Sequence, residues 1–154
     1  MKKFYSQPGF TLSEVLIVVA ILLILAGALV GFGKHLKQQA RASLCECTIG
    51  VLIAAIEQYH DWHDAFPDPA NDPVMSPIEN LYAQLYNQPR SCALCEQIEK
   101  SQKGDIDGDR AFEFLDPWGK PLDYRYLPGM TFPVVESGGP DGDLATAADN
   151  ISSR

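Results

Sequence analysis

The chain has 154 residues, of which 46% are hydrophobic and 21% charged, with a formal net charge of −8. Twelve Lys and Arg stand against twenty Asp and Glu, and no basic stripe carries interleaved aromatics, which argues against a nucleic-acid partner. There is also no G-x-S-x-G, no H-E-x-x-H and no phosphate-binding glycine loop, so nothing points to an enzyme.

The chain opens with Lys2 and Lys3, reaches Pro8-Gly9, and then runs apolar from Phe10 to Phe32, with Thr11, Ser13 and Glu14 as the polar residues. As a helix those 23 residues span roughly 34 Å, enough to cross a hydrocarbon core of about 30 Å. Glu14 stands out within the run. A carboxylate at mid-bilayer costs on the order of 3 kcal/mol, so an intramembrane acid is a functional candidate. Gly27 and Gly31 form a small-x3-small pair, read either as a close helix–helix contact or as a weak point in the helix. A competing reading takes Ala26-Gly27-Ala28 as a conventional signal-peptide site that releases a domain at Leu29. Glu14 inside the run, and apolar residues continuing past Ala28, argue against it. Lys2 and Lys3 on one side of the span face Lys34, Lys37 and Arg41 on the other, so the positive-inside rule does not decide orientation.

From Lys34 to Asp64 the chain has no Pro and one Gly, Gly50. Apolar residues at Leu44, Cys47, Val51, Ala54 or Ala55, Tyr59 and Trp62 recur at helical spacing. The pattern predicts one long helix from Phe10 to about His63, apolar all round in its first half and amphipathic in its second. Phe66-Pro67 should end it. His60 and His63 lie one turn apart beside Asp61 and Asp64, without a third ligand at helical spacing, and read as a solvated helix end.

Residues 65–110 are broken by Pro67, Pro69, Pro73, Pro77 and Pro89 and read as a connector with one short helix, Ile78 to Tyr86. Cysteines fall as Cys45-x-Cys47 and Cys92-x2-Cys95. Outside the cytoplasm an even set of cysteines predicts at least one bridge, from the long helix to the connector, with Cys47 the better-placed helix partner. Four-thiolate zinc is the competing reading, although neighbours in C-x-C point about 200° apart on a helix. The pairing stays open. Asp105, Asp107, Asp109 and Asp116 fall at positions 1, 3, 5 and 12 of an EF-hand count, with Arg110 where that loop has Gly and Asp where it has Glu, a possible second calcium loop.

Strands are predicted at Ala111–Leu115, Leu122–Leu127 and Thr131–Glu136. The fold class is therefore α+β, a long N-terminal helix packed on a small antiparallel sheet. The parts are residues 1–9, 10–33 and 34–154, the last comprising the amphipathic helix 34–64, the connector 65–110, the sheet 111–136 and an acidic tail 137–154.

Three stretches carry a family resemblance. The junction Gly9-Phe10-Thr11-Leu12-Ser13-Glu14 resembles the class III signal of type IV pilins and pseudopilins. Asp116-Pro117-Trp118-Gly119, followed by Pro121, Tyr124, Tyr126 and Pro128-Gly129, is similar to the major pseudopilins of type II secretion systems. So is the tail Ser137-Gly138-Gly139-Pro140-Asp141-Gly142 with Asp149-Asn150-Ile151. The resemblance implies a pilin-like fold, cleavage between Gly9 and Phe10 by a prepilin peptidase, and N-methylation of Phe10. It implies that Glu14 neutralises the new α-amine of a neighbouring subunit. It also implies calcium in the tail, with Asp141 and Asp149 as side-chain ligands and Gly138 and Asp143 as further candidates. The expected product is a homopolymer built through the N-terminal helices, a pseudopilus supporting protein secretion. Its partners would be an inner-membrane assembly platform and minor pseudopilins. The N-terminus would be cytoplasmic and the domain periplasmic. The alternatives are a subunit of a type IV pilus, and a secreted or membrane-tethered, calcium-stabilised binding domain with no polymer role.

Overall fold

The computed structural model describes residues 11–146 and 148–154, without the side chains at 28–32 and 34. The cleavage pair Gly9 and Phe10 lies outside the described residues. Helix α1 runs Leu12–His63, α2 Pro77–Tyr86 and α3 Pro89–Cys95, followed by a 3-10 turn at Lys100–Gln102. Strands are β1 Lys103–Gly104, β2 Glu113–Phe114, β3 Asp123–Arg125, β4 Val134–Ser137 and β5 Ile151–Ser152. The chain divides into two compact units, up to Gln38 and from Gln39 onward.

In the first unit every described residue from Leu12 to Gly27 is exposed. Leu12, Leu16, Leu23 and Ile24 are all more than 60% accessible. This is the arrangement of a helix that finds no apolar partner among the described residues, and a run of such residues marks a membrane or protein-contact surface.

In the second unit α1 supplies Cys45, Ile49, Leu52, Ala55 and Ile56 to a core completed by Leu81, Leu85, Phe114, Leu122, Tyr124 and Val135. His35–His63 is also apolar enough on average, at mean hydropathy 1.3, to pass as a span. Its apolar stripe, however, is used by this core, and it carries Lys37, Arg41, Glu46 and Glu57. The stripe differs in phase from the one expected. Cys45, Thr48, Ile49 and Leu52 are buried, while Leu44, Cys47 and Trp62 are exposed. The reason is Thr48, a polar residue at a core position. Its hydroxyl donates to the Leu44 carbonyl (2.9 Å) and accepts from Gln102 Nε2 (2.8 Å), so it is buried with partners. Asp64 ends α1 in the left-handed region, φ 53°, with its N–H on the His60 carbonyl, two residues before the expected Phe66-Pro67 stop.

Helix α2 begins with a reciprocal cap: Glu79 N–H to Ser76 Oγ, and Ser76 N–H to Glu79 Oε2. The connector holds a further helix, α3, which starts at Pro89. Proline at a first helical position loses no hydrogen bond, since that N–H has no intrahelical acceptor. The strands form two antiparallel sheets rather than one: β1–β2, and β3–β4–β5 with Tyr124 opposite Val135 and Ser137 opposite Ile151. The tail thus contributes β5, which its loop-like composition conceals. Tyr124 donates its buried hydroxyl to the Pro67 carbonyl (2.8 Å), joining β3 to the start of the connector.

Candidate functional site: the N-terminal helix and the tail loop

Thr11 and Glu14 meet at the start of α1. The Thr11 N–H and hydroxyl both donate to Glu14 Oε2, at 2.9 and 2.8 Å, and the Glu14 N–H reaches Thr11 Oγ1 at 3.3 Å. This is a T-x-x-E capping box, which satisfies amides that otherwise lack acceptors at a helix start. Glu14 itself is exposed. A Cβ added at Gly27 would meet nothing within 4 Å among the described residues. Gly31 lies within α1.

The Asp116-Pro117-Trp118-Gly119 turn is closed by the Gly119 N–H on the Asp116 carbonyl (3.0 Å), with Gly119 at φ 84°. Asp116 is 1% exposed. One carboxylate oxygen accepts from the N–H groups of Trp118 and Lys120, both at 2.9 Å, and the other accepts from Ser137 Oγ at 2.8 Å. These three bonds commit Asp116 to the turn rather than to the Asp105–Asp109 loop. In that loop Asp105 accepts from Gly108 and Arg110, Asp107 from Asp109, and Asp109 from Ala111. Among the described residues the carboxylates that converge are Glu79, Asp107 and Asp109. Glu79 carries no signal for this loop in the sequence, because it lies on α2, far from the loop along the chain.

The tail loop begins beside that turn. The Gly139 N–H donates to Ser137 Oγ at 3.1 Å. Gly139 (φ 65°) and Gly142 (φ 71°) adopt left-handed backbone. A Cβ at Gly138 would lie 2.7 Å from the Gly142 carbonyl carbon, and one at Gly139 would run into the backbone and carboxyl group of Asp149. The loop is therefore wrapped tightly enough to admit only glycine there. Asp141 accepts from the Asp143 N–H (2.8 Å) and the Thr146 hydroxyl (3.0 Å), and Asp143 from the Ala145 N–H (2.9 Å). Asn150 donates to the Leu144 carbonyl (3.0 Å), while its Oδ1 is buried without a partner among the described residues.

The remaining predicted residues separate. His60 packs on Phe66 and His63 on Tyr59, each pair 4.3 Å between ring centres, a packed helix end rather than a metal pair. The four cysteines are free thiols, and the expected bridge from the long helix to the connector is not formed. Cys47, the expected helix partner, faces outward because the buried stripe runs through Cys45. Burial pushes the Cys45 thiol up to about 11.

Residues 5–30 match the prokaryotic N-terminal methylation motif. The chain is 30% identical over 138 residues to type II secretion system core protein G of Pseudomonas aeruginosa, covering 88% of this chain and 85% of that protein. It is 32% identical over 155 aligned positions to type II secretion system core protein G of Vibrio cholerae, covering 97% and 93%. No solved structure matches the chain. Motif and exposed apolar helix together suit a membrane-anchored subunit. With an α+β, pilin-like architecture and similarity over most of its length, the chain belongs to the type II secretion system core protein G family, the major pseudopilins, which are structural proteins and not enzymes.

Proposed function

We propose that this chain is the polymer-forming subunit of a pseudopilus, built by packing of residues 10–33 of neighbouring copies. The observation that carries this reading is the exposed apolar surface of Leu12–Leu25, beside a second unit whose core is complete from its own residues. Removal of that surface from water, at about 25 cal/mol per Å², favours insertion into lipid first and helix bundling second. Gly27 and Gly31 let such helices approach closely. A prepilin peptidase cuts between Gly9 and Phe10, Phe10 is N-methylated, and its α-amine pairs with Glu14 of a neighbour. The N-terminus is cytoplasmic and the second unit periplasmic, with the inner-membrane assembly platform and minor pseudopilins as partners.

Calcium in the tail loop is part of the same reading. The donor set fits a hard cation that takes six to eight oxygens. Asn150 Oδ1 is buried without a donor among the described residues, Asp149 lies over the glycine cradle, and Asp141 and Asp143 hold lone pairs beyond those their hydrogen bonds use. Asp141 and Asp149 would hold the ion, helped by Asp143 and the carbonyl of Gly138. The ion would supply charge compensation and a fixed loop shape.

Mass spectrometry of the protein purified from membranes tests the processing step. A mature chain starting at Phe10 and carrying one methyl group is expected. A chain starting at Leu29 would replace this reading with that of a secreted domain.

A further inference from the structure

The Cys92-x2-Cys95 pair lies within α3, Pro89–Cys95. Residues three apart on a helix have Cα atoms about 5 Å apart, inside the ~4.4–6.8 Å range that a disulfide spans. The two thiols stand within electrostatic reach of each other and of the Tyr86 hydroxyl. Lys103 Nζ closes the group, donating to the Cys95 carbonyl (3.0 Å) and to Tyr86 Oη (3.3 Å). Cys92 is half-buried and Cys95 fully buried. By contrast, Cys47 faces solvent on α1, and Cys45 is buried beside Ser137 and Asp116.

We propose that Cys92 and Cys95 form a reversible local disulfide, with Cys92 as the entry thiol, Cys95 as the resolving thiol, and a small-molecule or protein disulfide as oxidant. The Cys92 thiolate attacks one sulfur of the oxidant. The oxidant's S–S bond breaks, and its other sulfur leaves as a thiol after taking up a proton. The Cys95 thiolate then attacks the Cys92 sulfur of this mixed disulfide, forming Cys92–Cys95 and releasing the second thiol. Two hydrogens pass in all from the pair to the oxidant, so atoms and electrons balance. Burial pushes the Cys95 thiol up to about 12, while the Lys103 ammonium favours its thiolate. The first attack therefore falls to Cys92, the thiol that solvent reaches, and the second is made unimolecular by the helix. The bridge would staple the last turn of α3, which packs against α2.

The test uses the full chain in detergent micelles, reduced and then exposed to a large excess of oxidised glutathione. Remaining thiols are alkylated and the protein is cut with trypsin. Cleavage after Arg41, Arg90 and Lys100 puts Cys45 and Cys47 in peptide 42–90 and Cys92 and Cys95 in peptide 91–100. The expected result is peptide 91–100 lighter by two hydrogens and unalkylated, with no link between the two peptides. In Cys95→Ser the reaction should stop at a glutathione adduct on Cys92, and in Cys92→Ser no adduct should form on Cys95. A 42–90 to 91–100 crosslink, a persistent glutathione adduct in the unsubstituted chain, or two alkylated cysteines in peptide 91–100 would each overturn the proposal.

Discussion

Ser137 Oγ donates to Asp116 Oδ2 at 2.8 Å across 21 residues of chain, and the same hydroxyl oxygen accepts the Gly139 N–H at 3.1 Å. One buried hydroxyl thus joins the Asp-Pro-Trp-Gly turn to the root of the tail loop. Ser137→Ala removes a donor from a fully buried carboxylate and an acceptor from a buried amide. The expected loss is about 1–3 kcal/mol, read as a lower denaturant midpoint for the full chain in micelles. An unchanged midpoint would show that the carboxylate finds another donor.

The acidic face around Glu113 makes stability depend on pH. Burial raises Glu113 above its ordinary value of 4.5, and the charges of Glu79, Asp107 and Asp105 raise it further, against the opposing hydrogen bond from the Ile106 N–H. A raised folded-state value means that the folded chain holds its proton more tightly than the unfolded chain. Stability therefore falls as pH rises from about 4.5 through the folded value, and the deficit persists above it. Glu113→Gln keeps an oxygen for Ile106 but carries no charge. It should melt higher than the unsubstituted chain at pH 7, with the advantage shrinking as pH falls toward 4.5. An advantage independent of pH would mean that packing, not ionisation, sets the cost.

How much of this was legible in the chain follows from how local each cause is. The body of α2 rests on neighbours within four residues, and the helix expected from Ile78 to Tyr86 is present, starting one residue earlier at Pro77 behind the Ser76–Glu79 cap. Helix α3 was obscured because Pro89 reads as a breaker unless it is recognised as a first helical position. The phase of α1 was misread because Thr48 is a core residue only through its bond to Gln102, 54 positions away. Strand β5 likewise exists through pairing with β4. The acids of the tail were visible as a cluster, whereas the orphaned oxygen of Asn150 emerges only from its burial.

Calcium should raise the melting temperature of the full chain, because a ligand that binds the folded state alone stabilises it by about 2.7 kcal/mol at a hundred times its Kd. Asp141→Ala with Asp149→Ala should abolish the calcium-dependent rise while leaving the metal-free midpoint close to that of the unsubstituted chain treated with chelator. A double variant that kept the full rise would remove the tail loop as the site. The converging carboxylates of Glu79, Asp107 and Asp109 would then be the place to look.

Glu14 has two roles available, and they separate by experiment. Within its own chain it completes a cap with Thr11, which satisfies amides at the helix start. Between chains, its carboxylate would be enclosed by apolar helices, where an unpaired charge is costly. The Phe10 α-amine freed by cleavage would then be its counter-charge and would set the axial register. Glu14→Val removes both roles; Glu14→Gln keeps an oxygen for the Thr11 N–H and removes only the charge. If the ion pair drives assembly, both variants should insert in the membrane and keep a folded second unit, yet yield no fibres that sediment from sheared cells. If the cap alone mattered, Glu14→Gln would assemble at the unsubstituted level and only Glu14→Val would fail. Fibres of normal yield and axial repeat from both variants would leave the carboxylate without a part in the polymer.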